Sequence, residues 1–243
     1  MDSWLQFWNA PQHLYVNPEH AALLSREIAE ELVRAAAIGK GERCLDFGCG
    51  EALGCPVLLA RGASVLLCDG AERMRRLATA RFGQRPGVAV LDLAGFEAIP
   101  PASLEVVAVV SVLQYLARDE LRRLLDRWHA QLRPGGRLVL GDVIPPGIGP
   151  LSDSLALLAY CRRHGHLLPA IRSILATALS DYRRVRRALG LTSYDEVEVR
   201  HLLDSHGFTV TRHPRNLGVN QARMTFVGRR LVRSSEGRAG HAP

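Results

Sequence analysis

The stretch CLDFGCGEALG, residues 44–54, decides how the rest of the chain is read. Its first half belongs to the apolar run RCLDF, flanked by glycines, which reads as a buried strand. Gly48 and Gly50 follow at once, and ALGCPVLLARG then reads as a short helix with Pro56 tolerated in its first turn. A strand that ends in Gly-x-Gly and opens a helix makes a tight turn. There a ligand can approach the backbone closely and meet the N-terminus of the helix.

Working outward, the same alternation repeats. ASVLLCD, GVAVLDL, SLEVVAVVSVL and GRLVLGDV read as strands, separated by the helical stretches AERMRRLATARF and RDELRRLLDRWHAQL. Apolar strands between amphipathic helices imply a parallel sheet covered on both faces. Upstream, AALLSREIAEELVRAAAIG has helical spacing and ends at Gly39. Downstream, SYDEVEVRHLLDSHGF reads as a helix opened by Ser193, and TVTRHP and ARMTFVGRRL as an antiparallel hairpin closing the sheet edge. The expected fold is α/β: a doubly wound, mostly parallel seven-stranded sheet with an antiparallel C-terminal hairpin and a helical cap insertion. The expected divisions are an N-terminal helical lid over 1–41, an α/β core over 42–145, a basic helical cap over 146–192, the remainder of the core over 193–230 and a disordered tail over 231–243.

With 243 residues, 47% of them hydrophobic, the chain can build one sizeable core. No apolar run reaches the ~20 residues that cross a bilayer, and MDSWLQFWNAPQH lacks the basic start of an export signal, so a cytoplasmic location is expected. The five cysteines contain no CxxC pair and read as buried thiols, with no metal site indicated. The net charge of +7 is concentrated between Tyr160 and Gly190, where seven arginines (162, 163, 172, 183, 184, 186 and 187) face the single acid Asp181.

The acids narrow the ligand. Asp69 falls at the end of the second strand, 19 residues beyond Gly50, where a carboxylate can accept from both hydroxyls of a ribose. A dinucleotide loop would need glycine at Leu53, and the acids Asp46 and Glu51 would repel a diphosphate. The same acids suit a ligand carrying an ammonium and a sulfonium group. S-adenosylmethionine (SAM) carries both.

On LDFGCGEALG, VLLCD, LRPGGRLVLGDV and the terminal hairpin, the chain resembles the class I SAM-dependent methyltransferases over about residues 42–228, in their small-molecule, type 11-like branch. The family pattern has a third glycine where this chain has Ala52. The resemblance implies that Asp46 and the backbone of Phe47, Gly48, Cys49 and Gly50 hold the amino-acid end of SAM. It implies further that Asp69 holds the ribose, that Gly70 lies beside the adenine, and that Asp92 or the Leu93 backbone meets the adenine amino group. Ser111, at the end of the fourth strand, belongs to the same set, and Tyr15 is a candidate aromatic lid over the cofactor.

Methyl transfer from a sulfonium is an in-line displacement with an already activated donor, so the protein aligns the reactants and excludes water. The stretch SVLQYL after the fourth strand lacks the (Asn/Asp)-Pro-Pro-aromatic element of amino-directed nucleic-acid methylases, and no Pro-Cys pair is placed for attack on a pyrimidine. Gln114 and Tyr115 are the acceptor-pocket candidates, and Asp142 is the best carboxylate for orienting the acceptor or removing a proton. His13 and His20 read as surface histidines before a catalytic base, Trp4 and Trp8 as core packing before a membrane contact, and the resemblance points Asn216, Asn220, Gln221 and Arg223 toward the same end of the cleft as Asp142, the loop amides also reading as turn formers. The expected acceptor is a small metabolite, an anionic one being suited by arginine forks in the cap, with nucleic acid and stable membrane association not expected. An RNA methyltransferase and a SAM-binding protein without catalysis are the alternatives.

Overall fold

The computed structural model describes residues 2–10, 16–178 and 190–232. Helices α1 (Asp2–Asn9) and α2 (Pro18–Ala36) precede the sheet. The chain then runs β1 (Arg43–Phe47), α3 (Cys55–Ala60), β2 (Ser64–Cys68), α4 (Glu72–Phe82), β3 (Val88–Leu91), α5 (Leu93–Glu97) and β4 (Leu104–Val110). A 3-10 turn (Leu113–Tyr115) leads into α6 (Arg118–Gln131) and β5 (Leu132–Val143). Helices α7 (Pro150–Arg163) and α8 (Leu167–Ala178) follow, then α9 (Glu196–Ser205), β6 (Phe208–Arg212) and β7 (Met224–Arg230).

The sheet has seven strands in the order β3-β2-β1-β4-β5-β7-β6. Strands β1 to β5 are parallel, and β7 runs antiparallel between β5 and β6. This is the expected α/β class, with the hairpin placed so that β6 forms the edge. Burial explains the strand sequences. In β4, Val107 and Val109 enter the core beneath α6 and α9, whereas Val106 and Ala108 enter the core beneath α2, α3 and α4. Both faces are covered, so the central strands are largely apolar, whereas the edge strand β6 alternates.

Helix ends follow local chemistry. Asn17 caps α2 by accepting from His20 N at 2.7 Å, ahead of Pro18 in the first turn. Helix α9 is capped by Asp195, which accepts from Glu198 N at 2.7 Å, and not by Ser193 two residues earlier. In α6 the residues Leu121, Leu125 and Trp128 form one buried stripe. Trp128 meets Phe47 edge to face at 5.2 Å. The expected turn RPGG lies within β5 as a bulge: Leu104 pairs with Leu132 and Val106 with Arg137, and Gly135 (φ +78°) takes up the excess chain.

Helix α2 is tied to the far side of the sheet through Glu31, which accepts from His213 Nε2 at 2.7 Å and from Arg34 Nη2 at 2.6 Å. Burial alone would raise the Glu31 pKa, but the His213 and Arg34 hydrogen bonds outweigh it and hold the carboxyl below its ordinary value of 4.5. A depressed carboxylate stabilises the fold above its unfolded pKa and loses that contribution as pH falls through the folded one. Glu31→Gln is therefore expected to cost about 2 kcal/mol at pH 7, with the difference from wild type closing below about pH 4. Urea denaturation at both pH values measures this.

Candidate active site

Strand order reverses between β1 and β4, whose connections leave in opposite directions, and this opens a crevice at their carboxyl ends. A cavity of about 590 Å3 occupies that place, within the range of small-molecule sites. The glycine loop forms its floor. Gly48 (φ +78°), Gly50 (φ +55°) and Ala52 (φ +54°) all adopt the left-handed backbone conformation, every second residue of the turn. Ala52 thus stands in a conformation that glycine adopts freely, at a cost of roughly 1–2 kcal/mol, and its methyl is buried in the core with Cys55 and Leu58.

Asp69 holds the loop in shape. Its carboxylate accepts from Gly50 N at 2.9 Å and from Ala71 N at 2.8 Å, and the amides of Gly48 and Cys49 both donate to Cys68 O. Burial raises the Asp69 pKa, opposed by these amides and by Arg75. Glu51, read above as a second free acid, is paired with Arg81 at 2.7 Å. Asp46 differs: among the described residues no hydrogen bond or ion pair reaches its carboxylate, which borders the cavity. Burial and the neighbouring Asp69 push its pKa up to about 7. A carboxylate so placed favours a cation beside it.

Of the residues singled out in the sequence, Asp46, Phe47, Gly48, Cys49, Gly50, Asp69, Gly70, Leu93, Ser111 and Tyr115 border this cavity. Phe47 does so with its backbone side, since its ring packs on Phe96 and Trp128. Tyr15 and His13 lie outside the described residues. Three candidates fall elsewhere. Asp92 caps α5 by accepting from Gly95 N at 2.7 Å and does not border the cavity. Gln114 is buried beneath the 3-10 turn, 7% exposed, because that turn aims Tyr115 and not Gln114 at the opening.

Asp142 is the third correction. Its carboxylate accepts from Ser111 Oγ at 2.7 Å, Asn216 Nδ2 at 2.9 Å and Arg223 Nη1 at 2.6 Å, so it is a paired anchor and does not border the cavity. His20 is also not on the surface. It is 2% exposed, packs edge to face on Tyr160 at 5.6 Å, and has its pKa lowered by burial and by His166 and His164.

The sequence reading missed α1 as a wall. Trp4 and Trp8 line the cavity and stack on Tyr115 with ring centroids 4.5 and 5.7 Å away, and Leu5 lies over Gly70, where an added Cβ would come within 2.8 Å of its Cδ2. The four-residue spacing of the two tryptophans was the available signal. From α6, Glu120 and Arg123 also border the cavity, and nothing in the sequence pointed to them. The cysteines behave as expected of buried thiols: burial pushes Cys44, Cys55 and Cys68 up to about 12.

The two loop glycines make separable demands. A Cβ at Gly48 would sit 2.3 Å from Val112 Cγ2, whereas one at Gly50 meets nothing within 4 Å. Gly50→Ala is expected to cost about 1–2 kcal/mol, the penalty of a left-handed L-residue. Gly48→Ala carries that penalty and the clash, and unfolds at lower urea. Equal midpoints for the two would show that Val112 moves aside.

The comparisons with known proteins agree with this geometry. The family described as "Methyltransferase domain" matches residues 45–140. The 27-O-demethylrifamycin SV methyltransferase of Amycolatopsis mediterranei is 28% identical over 167 residues, 61% of this chain and 58% of that protein. A probable non-canonical nonribosomal peptide synthetase of Salinispora arenicola is 28% identical over 202 residues, 80% of this chain and 2% of that protein. The chain thus spans less than two thirds of the length of either relative. Among solved structures, the magnesium protoporphyrin IX methyltransferase of Synechocystis, with bound S-adenosylhomocysteine (SAH), superposes with a TM-score of 0.58 at 16% identity, covering 94% of this chain and 93% of that one. The 1,6-didemethyltoxoflavin-N1-methyltransferase of Burkholderia thailandensis does so with a TM-score of 0.55 at 19% identity, covering 86% and 79%. Strand order, glycine loop and sequence match agree: residues 45–140 match the methyltransferase domain family, and the sheet has the class I methyltransferase fold.

Proposed function

We propose that the chain methylates a small-molecule acceptor by direct in-line transfer, and the observation that carries the reading is the unpaired Asp46 carboxylate on the cavity wall. The residues fit SAM. Asp46 would face its ammonium group, the open space at Gly50 would take the methionine backbone, and Asp69, with lone pairs left after its two amide bonds, would take the ribose. Gly70, Met74 and Leu93 would border the adenine, with Leu5 and Trp4 of α1 closing over it. When bound, the donor supplies a sulfonium methyl group whose bonding pair leaves with sulfur. The protein's part is to orient the acceptor and keep water out, served by the ring cluster of Trp4, Trp8 and Tyr115.

The relatives named above support a small-molecule acceptor, since two of the three methyltransferases are named for didemethyltoxoflavin and demethylrifamycin. For an anionic acceptor, or one delivered on an acidic carrier, the support is Arg162, Arg163 and Arg172, exposed on α7 and α8; the other four arginines of the run lie outside the described residues. On this reading 146–192 forms a cap over the acceptor and 1–41 a lid over the cofactor, in a cytoplasmic enzyme whose five thiols suit a reducing compartment. Added salt should then raise KM for a carboxylated acceptor and leave that of its methyl ester unchanged.

Protonation of Asp46 gives the sharper test. Its charged form is the one that binds an ammonium group, so SAH affinity is expected to rise as pH rises through about 7, with protons released on binding near that pH. Asp46→Asn should lose about 2–3 kcal/mol of SAH binding at pH 8 and abolish the pH dependence. The free fold moves the other way. A raised carboxylate destabilises it as pH climbs from 3.8 through about 7, so Asp46→Asn should unfold at a higher temperature than wild type at pH 8 and at a similar one at pH 4. Calorimetry and thermal scans check both, and SAH binding that ignores pH and this substitution would refute the assignment.

A further inference from the structure

We infer that Arg223 is a positioning residue that sets the Ser111 wall of the methyl-transfer site and fastens helix α7 to the same anchor, an inference that rests on the cavity being the SAM seat. Its guanidinium forks between two elements. Nη1 donates to Asp142 Oδ2 at 2.6 Å, at the end of β5, while Nη2 and Nε donate to Asp153 Oδ2 and Oδ1 at 2.9 and 3.2 Å, in the first turn of α7. The Arg223 and Asp142 side chains are only 12% and 10% exposed, so the pairing is screened little by solvent.

One arm reaches the cavity. Asp142 Oδ2 also receives Ser111 Oγ at 2.7 Å, and Ser111 borders the cavity at the end of β4. Ser111 (φ +57°) and Asp142 (φ +62°) both hold the left-handed conformation, at the tips of adjacent parallel strands. Such backbone persists only where the surroundings enforce it. Here the enforcement comes from the loop before β7: Asn216 brackets Asp142 by giving Nδ2 to its Oδ1 at 2.9 Å and accepting from its amide at 3.2 Å. Gly218 leaves room for the carboxylate, since a Cβ there would fall 2.3 Å from Asp142 Oδ1.

The other arm reaches α7. Asp153 takes Arg223 in a bidentate pair, and Asn220 Nδ2 adds bonds to Asp153 Oδ1 at 2.9 Å and Ser152 Oγ at 3.0 Å. The inserted helices are therefore fastened to the sheet at the edge where Ser111 meets the cavity. Arg223 touches neither the cavity nor the reacting atoms; it acts through Asp142 on one side and Asp153 on the other. Lysine cannot replace it, because a point charge on a flexible stem does not fork.

The test measures SAH affinity by calorimetry and amide hydrogen exchange by segment, on the intact chain. Arg223→Lys keeps the buried charge and folds where Arg223→Met fails to. It is expected to weaken SAH binding roughly tenfold, and to speed exchange in 111–115 and in α7 while β1 to β3 exchange as in wild type. Gly218→Ala keeps Arg223 and crowds the Asp142 carboxylate and the Asn216 amide beside it, and should repeat the loss of affinity. Asp153→Asn should speed exchange in α7 alone and hold SAH affinity within about twofold. Unchanged affinity in both Arg223→Lys and Gly218→Ala, or a loss accompanied by faster exchange throughout the sheet, overturns the inference. Wild type that fails to bind SAH removes the cofactor reading instead, and the exchange pattern then decides the anchor on its own.

Discussion

A carboxylate accepting two backbone amides holds the site together. Asp69, at the end of β2, takes the amides of Gly50 and Ala71 and so fixes the turn after β1 against the turn after β2. Without that bracket the left-handed residues of the loop would have no reason to keep their geometry, and the crevice between β1 and β4 would lose its floor. The bracket also places a second acid nearby. Burial and the neighbouring Asp69 raise the Asp46 pKa to about 7, whereas burial raises that of Asp69 against its two amides and Arg75.

The same crevice carries few chemically conspicuous groups. Its walls are largely aromatic and aliphatic, contributed by α1, the 3-10 turn and α6, with Glu120 and Arg123 of α6 among them and the Asp46 carboxylate unpaired beside the glycine loop. Asp142, the acid that looked suited to proton removal, spends its lone pairs on Ser111, Asn216 and Arg223. An activated donor needs alignment more than acid-base help, and such a site can give its polar groups to holding the backbone.

Beyond the sheet, polar side chains do the joining that apolar packing does within it. Glu31 with His213 ties α2 to the loop after β6, and Arg223 ties that region to α7. These contacts span large sequence separations and involve long or amide side chains that read locally as surface or turn residues. Their roles appear only once the chain is folded around them.

The sequence by itself determined the layers and the strand-glycine-helix unit, because strand burial on both faces, helical spacing and turn glycines are local properties written into neighbouring residues. It placed β1 at Arg43–Phe47 and named Asp46, Gly48, Gly50 and Asp69, all within one βαβ span. Tertiary structure alone decided which candidates face the cavity. Tyr115 does and Gln114 beside it does not, Glu51 is taken by Arg81, and Trp4 and Trp8 become a wall. The reason is physical: whether a polar side chain is free or already satisfied depends on partners brought from distant parts of the chain, and no local pattern records them.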